Sequence, residues 1–217
     1  MCGRYEISVD QKVIEGYFDE KVPQYEGPNY NVSPTQNVPI ATSEGIEVMR
    51  WGLVPQWASS LNTGYTMINA KAETLTEKRT YIKPLSYQRC LIPASGFFEW
   101  QKTDQGKVPY LFYIPDRPVF CFAGLYVIRK DSEDHELRSF TIITTTPNKL
   151  VEPIHDRMPV ILSKEEEKIW LNPDFTEADQ LLPLLDPYPV SEMEKHEVST
   201  DVNSTRNNSP ELIQPLK

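Results

Sequence analysis

Apolar and polar positions alternate in short runs along much of the chain, the period of two expected for half-buried β-strands. Val38-Pro39-Ile40-Ala41-Thr42 and Glu47-Val48-Met49-Arg50-Trp51 are two such runs; residues 89–93, 96–100, 110–114, 119–126 and 140–145 supply more. Pro39 confines its strand to a sheet edge or a strand start, because it cannot donate to a ladder. Gln105-Gly106 predicts a hairpin tip between Trp100 and Tyr110. Helical spacing is rarer. Val13, Ile14, Tyr17 and Phe18 predict a helix over 10–18. A second is expected over 69–79 after an initial turn. Thr146-Pro147-Asn148 reads as a helix start, with proline where the missing N–H costs least. Ser163 before Glu165, Glu166 and Glu167 reads as a capped start with acids on the positive end of the helix dipole. Residues 176–182 form a short candidate.

Many short strands with few helices predict an α+β fold: one domain with a curled, mainly antiparallel, barrel-like sheet and peripheral helices. Nineteen prolines against nine glycines favour proline-bounded strands and loops over long helices. The domain is expected over 1–190. Residues 191–217 are expected to form a polar, acidic tail with little structure of its own, since Asn203, Asn207 and Asn208 lie in it and residues 199–217 hold no aromatic residue.

Hydrophobic residues make up 39% of the 217 positions, enough to build a core. No apolar run is long enough for a membrane span, and Arg4 and Glu6 interrupt any N-terminal signal. The expectation is a cytoplasmic, monomeric protein without a membrane partner. Cys2, Cys90 and Cys121 are too few and too far apart for a disulfide framework, and the absence of a CxxC pair argues against zinc. No metal and no cofactor is expected. The net charge of −9 argues globally against nucleic acid. Yet Lys71, Lys78, Arg79, Lys83 and Arg89 face only Glu73 and Glu77 within residues 66–90, a stretch that serves either as a phosphate-binding face or as a solvated surface.

The chain begins Met1-Cys2-Gly3. Removal of Met1 leaves Cys2 with a thiol and a free α-amine on adjacent carbons. That amine has a reference pKa of about 7.7–8.0, so much of it is neutral near pH 7. It can attack an aldehyde to give a Schiff base, and the thiol can then close a five-membered thiazolidine with a large proximity advantage. By itself, a lone cysteine also fits an ordinary buried thiol.

Eight blocks, in order, carry a resemblance. They are Met1-Cys2-Gly3-Arg4-Tyr5, Tyr30-Asn31-Val32-Ser33-Pro34-Thr35, residues 49–57 around Trp51 and Trp57, and Asn69-Ala70-Lys71-Ala72-Glu73-Thr74. Residues 89–100 ending in Phe97-Phe98-Glu99-Trp100 follow, then 122–126, 144–148 and the block from His155-Asp156-Arg157 to Leu162. Together they resemble the SRAP (SOS response-associated peptidase) family. The resemblance implies covalent capture of abasic sites in single-stranded DNA or at single-strand/double-strand junctions, through a thiazolidine on Cys2 after autoproteolytic loss of Met1. It also implies catalytic roles for Cys2, Asn69, Glu99 and His155. An asparagine amide orients the amine or sugar hydroxyls. A carboxyl among aromatics is desolvated and suited to proton transfer. An imidazole relays protons near neutral pH and assists reversal of the crosslink.

Arg4, Lys71 and Arg157 are candidate phosphate ligands, Trp51 and Trp57 candidate base-stacking residues, and Pro34 a rigid turn near the site. Lys71 stands where the family commonly has arginine, so it offers a point charge rather than a bidentate fork. Two other function classes stay open: an amidotransferase with an N-terminal nucleophile, and a single-strand binding module without chemistry. A general cysteine peptidase using Cys2, Glu99 and His155 is a further alternative.

Overall fold

The computed structural model describes residues 2–23, 25, 27–60, 63, 66–130 and 133–216. In chain order the strands are β1 (Tyr5–Ile7), β2 (Asn29–Val32), β3 (Asn37–Thr42), β4 (Gly45–Trp51), β5 (Asn69–Lys71), β6 (Arg89–Ala94) and β7 (Gly96–Thr103). Then come β8 (Gly106–Tyr113), β9 (Phe120–Lys130), β10 (Glu136–Thr145), β11 (Met158–Pro159), β12 (Ile161–Leu162) and β13 (Glu194–Glu197). The helices are α1 (Gln11–Phe18), α2 (Arg79–Tyr87), α3 (Lys164–Leu171) and α4 (Ala178–Leu181).

Two sheets result. One is antiparallel, in the order β13-β8-β7-β1-β2. The other runs β11-β10-β4-β3-β6-β9-β12, and a further β9–β10 pairing joins β10, β4, β3, β6 and β9 into a closed ring. The parallel pairings fall on β10, which runs beside β4 and β5. This is the α+β, barrel-like, mainly antiparallel architecture that the alternating pattern predicts. Closure leaves the ring without a free edge.

Aromatic side chains fill the interior. Trp51 is fully buried, edge-on to Tyr5 at 5.1 Å and stacked with Phe140 at 6.4 Å between ring centroids. Its indole N–H donates to the Ile68 carbonyl at 3.0 Å. A tryptophan so enclosed is unavailable to a nucleobase. The expectation that Trp51 stacks on DNA is therefore corrected: it is a core residue whose polar atom is satisfied internally.

Other expectations change with context. The hairpin forms, but its turn residues are Asp104 and Gln105, one position earlier than expected: Thr103 pairs with Gly106, whose φ of 125° glycine tolerates. The capped start of α3 holds as a capping box between Ser163 and Glu166. Residues 69–71 are strand rather than helix, because β10 offers Asn69 a partner in Ile142. The helix lies further on, in α2, which contains Pro84. Asn148 starts a series of turns, not a helix: its Oδ1 accepts from the N–H groups of Leu150 and Val151, both at 3.1 Å. Pro39 lies in an interior strand, but β3 pairs with β6 only at Ala41–Leu91, beyond the proline.

The C-terminal segment is also corrected. It is polar in composition, yet β13 pairs with β8 along four residues. Val198, Val202 and Leu212 are buried against Phe98 and Leu111 in a small second core. Asn31 Nδ2 donates to the carbonyls of Ser204 at 3.0 Å and Asn207 at 2.9 Å. A few well-spaced apolar residues and an unfilled strand edge anchor a segment that average composition marks as a tail.

Candidate active site

The N-terminal segment continues the line of β1 alongside β7, with Tyr5 paired to Phe97 and the Phe98 N–H donating to the Arg4 carbonyl at 3.0 Å. That register sets Cys2 in the neighbourhood of Glu99. Cys2 is fully buried, and its Sγ lies 3.7 Å from the Arg4 carbonyl oxygen. Burial first, and the neighbouring Glu99 carboxylate second, hold the thiol well above its ordinary pKa.

Asn69 reaches the same residue from the opposite sheet. Its Nδ2 donates to the Cys2 carbonyl at 2.9 Å. Its Oδ1 is buried and accepts no hydrogen bond from a described residue. The backbone beneath it is rigid, since β5 is held against β10 and the Ile142 N–H donates to the Ile68 carbonyl.

Glu99 is 2% exposed on β7, enclosed as the flanking aromatics predict. Burial pushes its carboxyl up to about 7. His155 arrives from the turns that follow Asn148, its N–H donating to the Val151 carbonyl at 3.0 Å. The ring Nδ1 accepts from the Arg157 N–H at 3.0 Å. That bond leaves Nε2 to carry the proton, facing Glu99 Oε2 at 3.9 Å. Nδ1 also lies 3.0 Å from Asp156 Oδ1, a contact that attracts only the imidazolium. Burial lowers the His155 pKa, so the neutral tautomer fixed by the backbone bond is favoured. A protonatable carboxyl beside a thiol thus faces a neutral imidazole.

A cavity of about 390 Å³ opens over Glu99 and His155, lined also by Arg4, Trp100, Lys102, Lys107 and Asn203. Arg4 is tethered: its Nη1 donates to Asn31 Oδ1 at 2.6 Å and to the Val202 carbonyl at 2.7 Å, and its guanidinium lies 5.9 Å from the Trp100 ring centroid. Arg157 is engaged as well. It grips both Glu73 oxygens at 2.7 and 2.8 Å and donates to the Thr144 carbonyl at 2.6 Å. Lys71 is exposed at the end of β5, and Pro34 is half-buried between β2 and β3. Trp57, 69% exposed, lies elsewhere, on a groove with Arg79 and Lys83.

The structure therefore gathers Cys2, Asn69, Glu99, His155 and Arg4, and separates Trp57 from them. Trp100, Lys102, Lys107 and Asn203 were not singled out by the sequence. Trp100 adjoins Glu99. A tip at Gln105-Gly106 would set Lys107 opposite Asp104, and only the observed turn at Asp104-Gln105 brings Lys107 opposite Lys102. Asn203 carried no signal. Cys90 and Cys121 are buried in apolar strands, with thiols raised by burial, and are inert packing residues. Among the described residues no three His, Cys, Asp or Glu side chains converge as a metal site, and no helix is long and apolar enough to cross a membrane.

Comparison with known proteins bears on this geometry. The description SOS response associated peptidase (SRAP) matches residues 1–205, and the chain belongs to that family. Among its relatives, the abasic site processing protein YoqW of Bacillus subtilis (strain 168) is 47% identical over 222 residues, covering 99% of each chain. The abasic site processing protein HMCES of Xenopus tropicalis is 33% identical, over 87% of this chain and 66% of its own. A crystal structure of a protein from Bacteroides thetaiotaomicron superposes with a TM-score of 0.92 at 30% identity, covering 100% of both chains.

Proposed function

We propose that this protein processes abasic sites in single-stranded DNA by capturing them covalently on Cys2 once Met1 is removed. One observation carries the reading: Asn69 binds the Cys2 carbonyl while the buried Glu99, which faces His155, stands beside the same residue.

The chemistry follows from those groups. The α-amine of Cys2 attacks the C1′ aldehyde of the ring-opened sugar, forming a C–N bond. Glu99, protonated near neutral pH, gives its proton to the departing oxygen, which leaves as water from the carbinolamine. The thiol sulfur then adds to the imine carbon. Its proton passes to the nitrogen through Glu99 or His155, closing the thiazolidine. Asn69 holds the Cys2 backbone so that both nucleophiles meet one carbon, and its free Oδ1 is available to a sugar hydroxyl. The same acid and base run in reverse reopen the ring to the imine, and water then returns the aldehyde and frees Cys2. Lyase-type cleavage is a separate branch from the imine, in which a base takes a C2′ proton and the 3′ phosphate leaves. In removal of Met1 the Cys2 thiol attacks the Met1 carbonyl carbon and expels the Cys2 nitrogen, which takes a proton and becomes the free α-amine. Water then hydrolyses the resulting thioester, releasing methionine and restoring the thiol.

The test mixes Met1-free protein, checked by intact mass, with a single-stranded oligonucleotide carrying one abasic site. A slow band on a denaturing gel is expected, absent with Cys2→Ala and absent without the lesion. A band that persists in Cys2→Ala would refute the assignment of the nucleophile.

A further inference from the structure

The β7–β8 register sets Lys102 directly opposite Lys107. Like charges opposed across antiparallel strands repel and cost stability. Nothing on the hairpin relieves this pair: both lysines are exposed, and neither side chain makes an ion pair or hydrogen bond with a described residue. In a chain of net charge −9, two adjacent unneutralised cations are a local exception. They also have a direction. Both line the cavity that holds Glu99 and His155, together with Arg4, whose Nε is buried and without a partner. Lys102 lies close enough to His155 for its charge to help lower the pKa of that ring.

The distances suit an extended polyanion. Lys102 follows Glu99 by three residues, about 10 Å along a strand, on the face it shares with Trp100 and Lys107, and the cavity is lined by residues of both faces. Trp100, between them, turns toward Arg4 and the Asn203 side chain, to which its indole N–H donates at 2.7 Å. A chain of phosphates entering at Glu99 would pass the lysine pair on leaving. We propose that Lys102 and Lys107 form a phosphodiester subsite, seating a backbone phosphate of the DNA strand that flanks the captured lesion. The proposal rests on the abasic-site reading above. It adds residues that neither the motif blocks nor the comparisons assign.

Binding of an undamaged single-stranded oligonucleotide, followed by fluorescence anisotropy over a salt series, tests it. The unaltered chain is compared with K102Q/K107Q and K102R/K107R. One neutralised phosphate contributes a slope of about 0.7 in log affinity against log salt for a single strand. The glutamine pair is therefore expected to lose roughly 2.6-fold less affinity than the parent between about 50 and 200 mM salt. The arginine pair is expected to keep the parent's slope. Equal slopes for the parent and the glutamine pair overturn the proposal. Inorganic phosphate at matched ionic strength is expected to leave oligonucleotide binding unchanged. Lysine-dependent competition by inorganic phosphate would assign the site to the free anion and overturn its assignment to a strand. Failure of the capture reading shows separately, as absence of a covalent product from an abasic oligonucleotide while the lysine-dependent slope persists.

Discussion

Glu6 on β1 and Glu99 on β7 are both 2% exposed, and burial pushes both carboxyls up to about 7. Their surroundings differ. Around Glu6 the structure offers Ser8, whose hydrogen bonds oppose the shift, and leaves Oε2 without a described partner. Around Glu99 it offers an imidazole at 3.9 Å, a thiol close enough to feel its charge, and an open cavity. A displaced pKa records burial. Chemistry requires a second and third group aimed at the same point.

The largest effect that separates the two regions is on capture. Glu99→Gln is expected to slow covalent product formation by about 10²–10⁴-fold, the usual range for loss of a positioned acid. Glu6→Gln is expected to leave the rate unchanged. Single-turnover gels measure both, and equal losses would break the comparison. Because Glu99 acts as an acid with a pKa of about 7, the rate should fall as pH rises above that value. Glu99→Gln should remove that decline.

A second pair, only six residues apart, extends the contrast to packing. Trp51→Ala should destabilise the fold by about 3–5 kcal/mol, the range for an aromatic deleted from a core. Trp57→Ala, on the surface, should stay within about 0.5 kcal/mol. Denaturant unfolding compares them, and similar midpoints would contradict the burial of Trp51.

Next is a pH effect on stability. A carboxyl ordinarily near 4.5 and raised to about 7 in the folded chain binds more protons folded than unfolded between those values. Stability therefore falls as pH rises from about 4.5 to about 7. The cost above that window is on the order of 3 kcal/mol for each such group. Glu6→Gln should recover a gain of that order at pH 8 and flatten its share of the slope. Thermal unfolding across pH measures it, and an unchanged slope would contradict the raised pKa.

The smallest effect is Asn69→Ala, which removes the bond to the Cys2 carbonyl but no proton-transfer group. Capture should slow by roughly tenfold, as expected for the loss of one orienting hydrogen bond. A loss as large as that of Glu99→Gln would mean that Asn69 does more than orient.

How much of this was legible depends on the range over which each signal acts. The alternation in residues 96–100 and 140–145 reports local burial and carried the sheet. The Ser163 cap, like the hairpin turn near Gln105-Gly106, is a matter of a few neighbouring residues. Cys2, Asn69, Glu99 and His155 were legible as motif members, and Glu99 also as a carboxyl enclosed by aromatics. Their meeting depends on β1 lying beside β7 and β5 beside β10, and such long-range pairings leave little local trace. Trp51 and Trp57 look alike in one segment, and only the closed ring separates core from surface. The C-terminal segment misled because its average polarity hides Val198, Val202 and Leu212, which need Phe98 and Leu111 to be recognised as core.

The central claim is that one residue supplies both nucleophiles. Peptide mapping by mass spectrometry tests it most directly, on protein lacking Met1 incubated with an abasic single strand and no reducing agent. The account predicts a sugar-derived adduct, formed with loss of one water, confined to the N-terminal peptide and located on Cys2. An adduct on a lysine, or one that appears only after borohydride trapping, would contradict it.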